Sequence, residues 1–435
     1  VEAVQAALAE RQFDHLVWCA PDVSAGEGAG LSTAAGTDAD TDVDAIVAAQ
    51  ESGVLALFRI VKALTRLERH EHALKFTVVT RNTLQVFEDA PVAPHHAGVH
   101  GMVGSIAKEM PLWRMRLADI ASIADLDARE LLSLPWSAKG DSLAHRGDTW
   151  FRQEFADVVR LPQGESACRH RGTYVVIGGA GGLGEVWTRH MVERYDAHVI
   201  WIGRRAEDAA IRERLDAVEA LSPSGRRPDY VSVDATDPVA LAAAVDGLRA
   251  RFGRIDGVVH SALVLQDQTV RAMDEAVFRG SLAAKVDVSV NMERAFGGCD
   301  LDFMLFFSSL SSYYRGAGQS NYCAGCTFKD SFAQDLRSRY DWPVKIVNWG
   351  YWGSVGIVTD PFYRKRMESL GFGSIEPEDA MAALESFLAS DMEQLVLAEV
   401  ISDAALDDIV VSEEIRHYAD GVAIGTAVKT VGIAS

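Results

Sequence analysis

Tyr322, Ser309 and Lys285 are the residues of this 435-residue chain whose types and spacing point most directly to chemistry. The apolar run Phe303 to Phe307 ends in Ser308-Ser309. The chain then passes through Gly316-Ala317-Gly318-Gln319-Ser320-Asn321 to Tyr322, at a helix expected to begin near Cys323. A tyrosine at a helix start beside a strand-end serine is placed to protonate a carbonyl oxygen while a hydride reaches its carbon. The serine hydroxyl would hydrogen-bond that oxygen as charge develops on it. Lys285, on the preceding helix, would lower the phenol pKa by placing a positive charge near it. An isolated tyrosine is usually packing, but three complementary groups in one context are harder to assign to packing.

Such chemistry needs a hydride donor, and the stretch from Thr173 to Arg205 has the pattern of a nucleotide site. The apolar run Tyr174 to Ile177 leads into Gly178-Gly179-Ala180-Gly181-Gly182-Leu183-Gly184. A helical pattern carrying Trp187, Met191 and Val192 follows, and then a second apolar run, His198 to Ile202. That order is strand, tight turn, helix, strand, with glycines where a diphosphate would sit. A residue without a Cβ lets the phosphate approach the backbone, and the helix that follows points free amides at it. The second strand ends in Gly203-Arg204-Arg205, with no carboxylate until Glu207, which favours NADPH over NADH. Asp234, after a short strand at Tyr230 to Val233, could accept from an adenine amino group or help Asp237-Pro238 cap the next helix. The strand Gly257 to His260 ends in Ser261-Ala262, where the nicotinamide end would pass.

Strands followed by helices keep arriving, so the expected fold class is α/β, a Rossmann-like doubly wound parallel sheet. Residues 171–405 form the catalytic subdomain of this reading, residues 1–170 a smaller α/β subdomain, and residues 406–435 a tail or linker. The first half reads as a helix from Val1 to Arg11, a strand from His15 to Cys19 and a flexible loop from Ser24 to Thr41. A helix from Asp44 to Leu67, a strand from Leu74 to Thr80 and a helix near Gly98 to Glu109 follow. This half has no glycine cluster and is expected to hold no cofactor.

A formal charge of −20 argues against nucleic acid as a partner. Arg364-Lys365-Arg366 is a local basic patch that an acidic protein could use. Hydrophobic content of 48% suits a sizeable core. Five cysteines make no disulfide framework, and there is no signal-peptide core or membrane-length apolar run, so a reducing cytoplasmic setting is expected. Val1 is not a natural start, and the chain is expected to be a piece of a longer polypeptide. His95, His96 and His100 cluster without cysteine or acidic residues at ligand spacing, so no metal is expected. The Cys323-x-x-Cys326 pair would suggest thiol redox chemistry alone, but it follows the tyrosine rather than a thioredoxin-like strand.

On these residues the chain resembles the ketoreductase domains of modular polyketide synthases, within the short-chain dehydrogenase/reductase superfamily, from roughly residue 10 to 405. GGAGGLG matches the cofactor loop. Lys285, Ser309 and Tyr322 fall in the family's order with its separations, 309 − 285 = 24 and 322 − 309 = 13. Asn348-Trp349-Gly350 matches the NWG segment, and residues 362–372 would form the lid over the acyl chain. The resemblance implies NADPH-dependent reduction of a β-ketoacyl thioester, carried on the phosphopantetheine arm of an acyl carrier protein, among neighbouring synthase domains. It makes Tyr322, Ser309 and Lys285 catalytic. It assigns the cofactor to Gly178, Gly181, Gly182, Leu183, Gly184, Arg204, Arg205, Asp234, Ala235, Ser261 and Ala262.

The family's first half is a non-catalytic structural subdomain, here expected to be clipped at its amino end. The chain departs from the family at Ile177, where threonine is usual, and at Cys326, where asparagine is common and an amide's donors and acceptor are lost. His260-Ser261-Ala262-Leu263 resembles ketoreductases of trans-acyltransferase assembly lines. Asp267, in Leu265-Gln266-Asp267, matches the aspartate of members making the D-configured alcohol. Tyr314 stands where members giving the L product have tryptophan. The resemblance therefore implies a B-type, D-hydroxy product, with Asp267, Asn348 and Cys326 in substrate handling or stereocontrol. The rival expectation is a silent module kept for architecture or carrier docking.

Overall fold

The computed structural model describes residues 1–22, 39–87, 90–124, 127–160, 165–356, 358–407, 409, 411–417 and 425–432. Most of the loop expected at Ser24 to Thr41 lies outside them. The first half supplies strands β1 (His15–Cys19), β2 (Leu74–Arg81), β3 (Trp113–Ile120), β4 (Ser142–Arg146) and β5 (Thr149–Arg160). Its helices are α1 (Glu2–Ala9), α2 (Ala39–Ser52), α3 (Val54–Arg66), α4 (Gly98–Glu109) and α5 (Ala128–Ser133). The single helix expected from Asp44 to Leu67 is two, broken at Gly53, whose backbone leaves the helical region at φ −92°, ψ −108°. A tertiary contact occupies the break. A Cβ on Gly53 would lie 2.3 Å from His96 Nδ1, and Gln50 Nε2 donates to His95 O at 2.7 Å.

The second half begins with β6 (Thr173–Ile177), α6 (Gly182–Tyr195), β7 (His198–Gly203), α7 (Ala209–Glu219), β8 (Asp229–Ser232), α8 (Pro238–Phe252) and β9 (Gly257–His260). Two helices, α9 (Glu275–Ala283) and α10 (Val286–Phe296), lead to β10 (Phe303–Ser309), the short α11 (Ser311–Tyr314), α12 (Ser320–Arg337) and β11 (Val344–Trp349). Then come α13 (Pro361–Ser369), β12 (Phe372–Gly373), α14 (Pro377–Leu388), β13 (Gln394–Leu397), β14 (Glu399–Val400), β15 (Val411–His417) and β16 (Gly425–Gly432). β6, β9, β10 and β11 are apolar and almost fully buried, as strands covered on both faces must be.

One sheet runs through both halves in the order β1-β2-β3-β4-β5-β16-β13-β11-β10-β9-β6-β7-β8. β6 to β11 and β13 pair in parallel, and β16 joins β5 to β13 by antiparallel pairing. Val411–His417 and Gly425–Gly432, in the stretch read from the sequence as a tail or linker, thus supply strands of the sheet. The run Gly425 to Gly432 carries β-branched Thr426, Val428, Thr430 and Val431, which suits an extended chain.

The halves also meet helix to helix, and small residues set the distance. α4 approaches α12 so closely that a Cβ on Gly101 would lie 2.1 Å from the carbonyl oxygen of Cys323. The helix that carries Tyr322 therefore leans on the half that has no glycine cluster.

Candidate active site

The carboxyl ends of β6, β7, β9 and β10 open into a cleft of about 490 Å³. The turn after β6 forms one wall. Gly178 takes φ +88°, and a Cβ there would lie 2.7 Å from the backbone nitrogen of Ala262, so the turn presses against the end of β9. α6 starts at Gly182, aiming its first amides at the same space. Gly178, Gly181, Gly182 and Leu183 line the cleft; Gly184 packs beneath it, where a Cβ would meet Gly178 O at 2.8 Å.

Arg204, Arg205, Asp234, Ala235, Ser261 and Ala262 also line it. The nearest carboxylate after the arginines, Glu207, is 3.5 Å from Arg227 Nη2. Asp234 Oδ1 accepts from the Thr236 backbone N–H and hydroxyl at 3.0 and 2.8 Å, while Asp237 caps α8 through the amides of Val239 and Ala240. The bare turn and the helix start fit the diphosphate of a dinucleotide, and Arg204 and Arg205 stand in the same lining, Arg205 Nη1 3.7 Å from Asp208 Oδ2.

Lys285, Ser309 and Tyr322 come together at the other end of the cleft. α12 begins at Ser320 rather than near Cys323, which puts Tyr322 in its first turn. Lys285 lies between α9 and α10, not within a helix. It is 1% exposed, and its ammonium sits 4.4 Å from the centroid of the Tyr322 ring. Its stem needs Gly325, one turn beyond the tyrosine, where a Cβ would lie 2.4 Å from Lys285 Cδ.

The phenol's pKa stands well above the ordinary tyrosine value, chiefly through burial, with a hydrogen bond to Ser309 pulling the other way. Sequence reasoning had expected the lysine to lower it. Burial decides the direction instead, and the group keeps its proton at neutral pH, the form an acid needs.

Three residues assigned to substrate handling stand behind the cleft rather than in its lining. Asn348 is fully buried. Its Nδ2 donates to Ser309 O at 3.1 Å and Asp330 Oδ2 at 2.8 Å, and its Oδ1 accepts from Gln394 Nε2 at 2.7 Å, so it braces the strand end that carries Ser309. Cys326 is buried against Lys285, and burial raises its pKa. Burial also raises that of Cys323, so neither thiol of the Cys-x-x-Cys pair is the exposed thiolate that redox chemistry uses. Asp267 Oδ2 accepts from Gln319 Nε2 at 2.7 Å.

Sequence reasoning missed three features. One is Gly325. Another is Gln319, which lines the cleft. The third is Lys329, fully buried two turns past the tyrosine, with Nζ 3.1 Å from His260 Nδ1 and 3.0 Å from Phe307 O. The spacing 322, 326, 329 along one helix face was the available signal. α13 lines the cleft with Tyr363, Arg366 and Met367, and Leu370 just beyond it does so too, while Phe362 points to solvent at 77% exposure.

The histidines of the first half do not converge. His100 contacts the hydroxyls of Thr83 and Ser142, whereas His96 reaches Pro21 O. Among the described residues no group of three or more His, Cys, Asp or Glu is arranged to hold a metal ion.

A family model described as the KR domain matches residues 172–354, which span the glycine turn, Lys285, Ser309 and Tyr322. The chain is 41% identical over 93% of its length to polyketide synthase PksN of Bacillus subtilis, and 44% identical over 87% to polyketide synthase ThaG of Burkholderia thailandensis.

The chain belongs to the ketoreductase domains of polyketide synthases.

It spans 7% of the length of either of these relatives. The ketoreductase fold is shared with a solved ketoreductase domain from the bacillaene assembly line, at TM-score 0.74 and 19% identity, covering 91% of this chain and 94% of that one. A solved A-type ketoreductase of a modular polyketide synthase superposes at TM-score 0.70 and 25% identity, covering 83% of this chain and 76% of that one. No helix among the described residues of this ketoreductase is long and apolar enough to cross a membrane.

Proposed function

We propose that this ketoreductase uses NADPH to reduce the β-ketone of an acyl thioester, presented on the phosphopantetheine arm of an acyl carrier protein, to the D-configured alcohol. The observation that carries the reading is the convergence of Tyr322, Ser309 and Lys285 in the cleft that the glycine turn also lines. Gly178, Gly181, Gly182, Leu183, Arg204 and Arg205 would hold the cofactor, which supplies the hydride when bound.

The protein's own groups do the rest. Ser309 donates a hydrogen bond to the ketone oxygen and aligns it with the phenol. Tyr322, protonated at neutral pH, gives its proton to that oxygen as negative charge builds there. Lys285, buried against the ring, stabilises the tyrosinate that remains. The D configuration is supported by Asp267 and by Tyr314 in place of tryptophan. Carrier delivery and neighbouring synthase domains are supported by the relatives, which are much longer synthases.

Tyr322→Phe is expected to lower turnover of a β-ketoacyl cysteamine thioester by about 10³-fold or more, because the acid is removed while the cleft keeps its shape. NADPH affinity, followed by fluorescence, should stay within about twofold because the phenol serves the transition state. Parental turnover in the variant would show that another group is the acid. A parental chain that binds no NADPH would favour the silent module.

A further inference from the structure

Asp267 is assigned to stereocontrol, yet its carboxylate is not part of the cleft lining. What stands between it and the substrate space is Gln319. The Gln319 amide nitrogen donates to Asp267 Oδ2 at 2.7 Å and lies 3.4 Å from Tyr363 Oη on the lid helix α13. The amide oxygen packs over Gly316, where a Cβ would come within 2.6 Å of it. The backbone carbonyl of Gln319 accepts from Cys323 N at 2.8 Å, the first turn of α12. One residue thus joins the loop after β9 and the lid through its side chain, and the start of the helix bearing Tyr322 through its backbone. A primary amide suits the position because its nitrogen carries two hydrogens, enough for both acceptors.

The surroundings make that bond matter. Asp267 is half-buried, and its other oxygen has no hydrogen-bond partner among the described residues. Burial raises its pKa, and the hydrogen bond from Gln319 opposes that, followed by the more distant charge of Arg366. Tyr363 stacks on Tyr351, with ring centroids 6.1 Å apart, and Tyr351 donates to Val358 O at 3.2 Å. The start of α13 is therefore held through Tyr363.

We propose that Gln319 is a positioning residue that latches the lid helix to the Asp267 loop, and that Asp267 influences the face of the ketone shown to Tyr322 only through this amide. The inference rests on the ketone-reducing reading. The titratable and charged groups around the position are Asp267 on the loop, Tyr363 and Arg366 on α13, Tyr322 and Cys323 on α12, and Glu109 on α4. Glu109 accepts from the amides of Val270 and Gly318 at 2.7 and 3.0 Å.

The test compares Gln319→Glu and Gln319→Leu with the parent chain at pH 8 and pH 5.5. In the Glu variant two ionised carboxylates, with Glu109 nearby, repel and open the latch at pH 8. Near pH 5.5 the pair shares a proton and remakes one hydrogen bond. Leucine makes none at either pH. The first readout, hydrogen exchange at the α13 amides without substrate, does not depend on turnover. Exchange should be about tenfold faster than in the parent at pH 8 for both variants, and near parental at pH 5.5 for the Glu variant alone. The second readout is the enantiomer ratio and the split between KM and kcat for a β-ketoacyl cysteamine thioester with NADPH. The ratio should fall about tenfold, with KM rising more than kcat drops, and recover at pH 5.5 in the Glu variant only.

Equal protection and selectivity in all three proteins would overturn the latch. So would a Glu variant that behaves like the Leu variant at both pH values. If α13 protection changes as expected but the parent reduces no thioester, the reaction is wrong and the latch stands.

Discussion

Tyr322 works in this reading because of what its neighbours do to a proton. Burial keeps the proton on the phenol, Ser309 pulls the other way, and Lys285 lies against the ring. Burial acts in the same direction on a carboxyl group outside the cleft lining. Asp287, in the first turn of α10, has its pKa raised to about 6 by burial and then by the charge of Asp234. A carboxyl group whose folded pKa lies above its unfolded value binds a proton more readily in the native state. Its contribution is favourable at low pH and is lost as pH rises from about 4 to about 6. Asp287→Asn is therefore expected to gain about 1–2 kcal/mol of stability at pH 7, after allowing for the lost carboxylate at a helix N-terminus, and almost nothing at pH 4. Urea denaturation at the two pH values checks this, and an equal gain at both would refute the charge argument. Such effects were not legible in the sequence. Residue types and spacing singled out Tyr322, Ser309 and Lys285, but the net direction of the phenol's shift depends on how deeply the fold buries it. Gln319 escaped notice for the same reason, since its partners Asp267 and Tyr363 come from distant parts of the chain.

The glycine turn is the element most completely written into the sequence, because its demands are local: a strand end, a residue at positive φ and a helix start. The break at Gly53 is the contrary case. Ser52-Gly53 is a weak breaker signal between Asp44 and Leu67, but what makes the break necessary, the His95–His96 segment that occupies it, lies about forty residues on. The expectation that a βαβ turn holds the cofactor leads to a direct test. Alanine at Gly178 must hold φ +88° and place a Cβ 2.7 Å from the Ala262 nitrogen. The strain is of order 1–3 kcal/mol, and the turn relieves it by moving away from the phosphate path. Gly178→Ala should weaken NADPH binding by more than about tenfold while far-ultraviolet circular dichroism remains parental. Unchanged affinity in a fluorescence titration would remove the turn from the cofactor site.

The whole molecule is organised by a sheet that does not stop between its halves. Sequence alternation of strands and helices revealed a doubly wound parallel arrangement, but not how the halves join. Pairing between β5 and a strand about 270 residues away leaves no periodic trace in either segment. β16 sits at that joint, with Gly425 to Gly432 opposite Val158 to Phe151 on one side and Thr426 opposite Val396 on the other. Removing it would strip backbone partners from β5 and leave long sheet edges able to pair with other molecules. A chain ending after residue 405 should therefore unfold more than about 5 °C below the full chain and aggregate as it does so. Loss of the joint should also reach the site, because α12 leans on α4 of the first half. NADPH would still bind, since the glycine turn is held between β6 and the start of α6, but turnover should fall further than affinity. Calorimetry, light scattering and kinetics on the two lengths decide the matter. If the shortened chain matched the full one in melting temperature and turnover, the sheet would not depend on its last strands, and the two halves would be held by their helix contacts, α4 on α12 and α3 on α9 through Arg59 and Glu275.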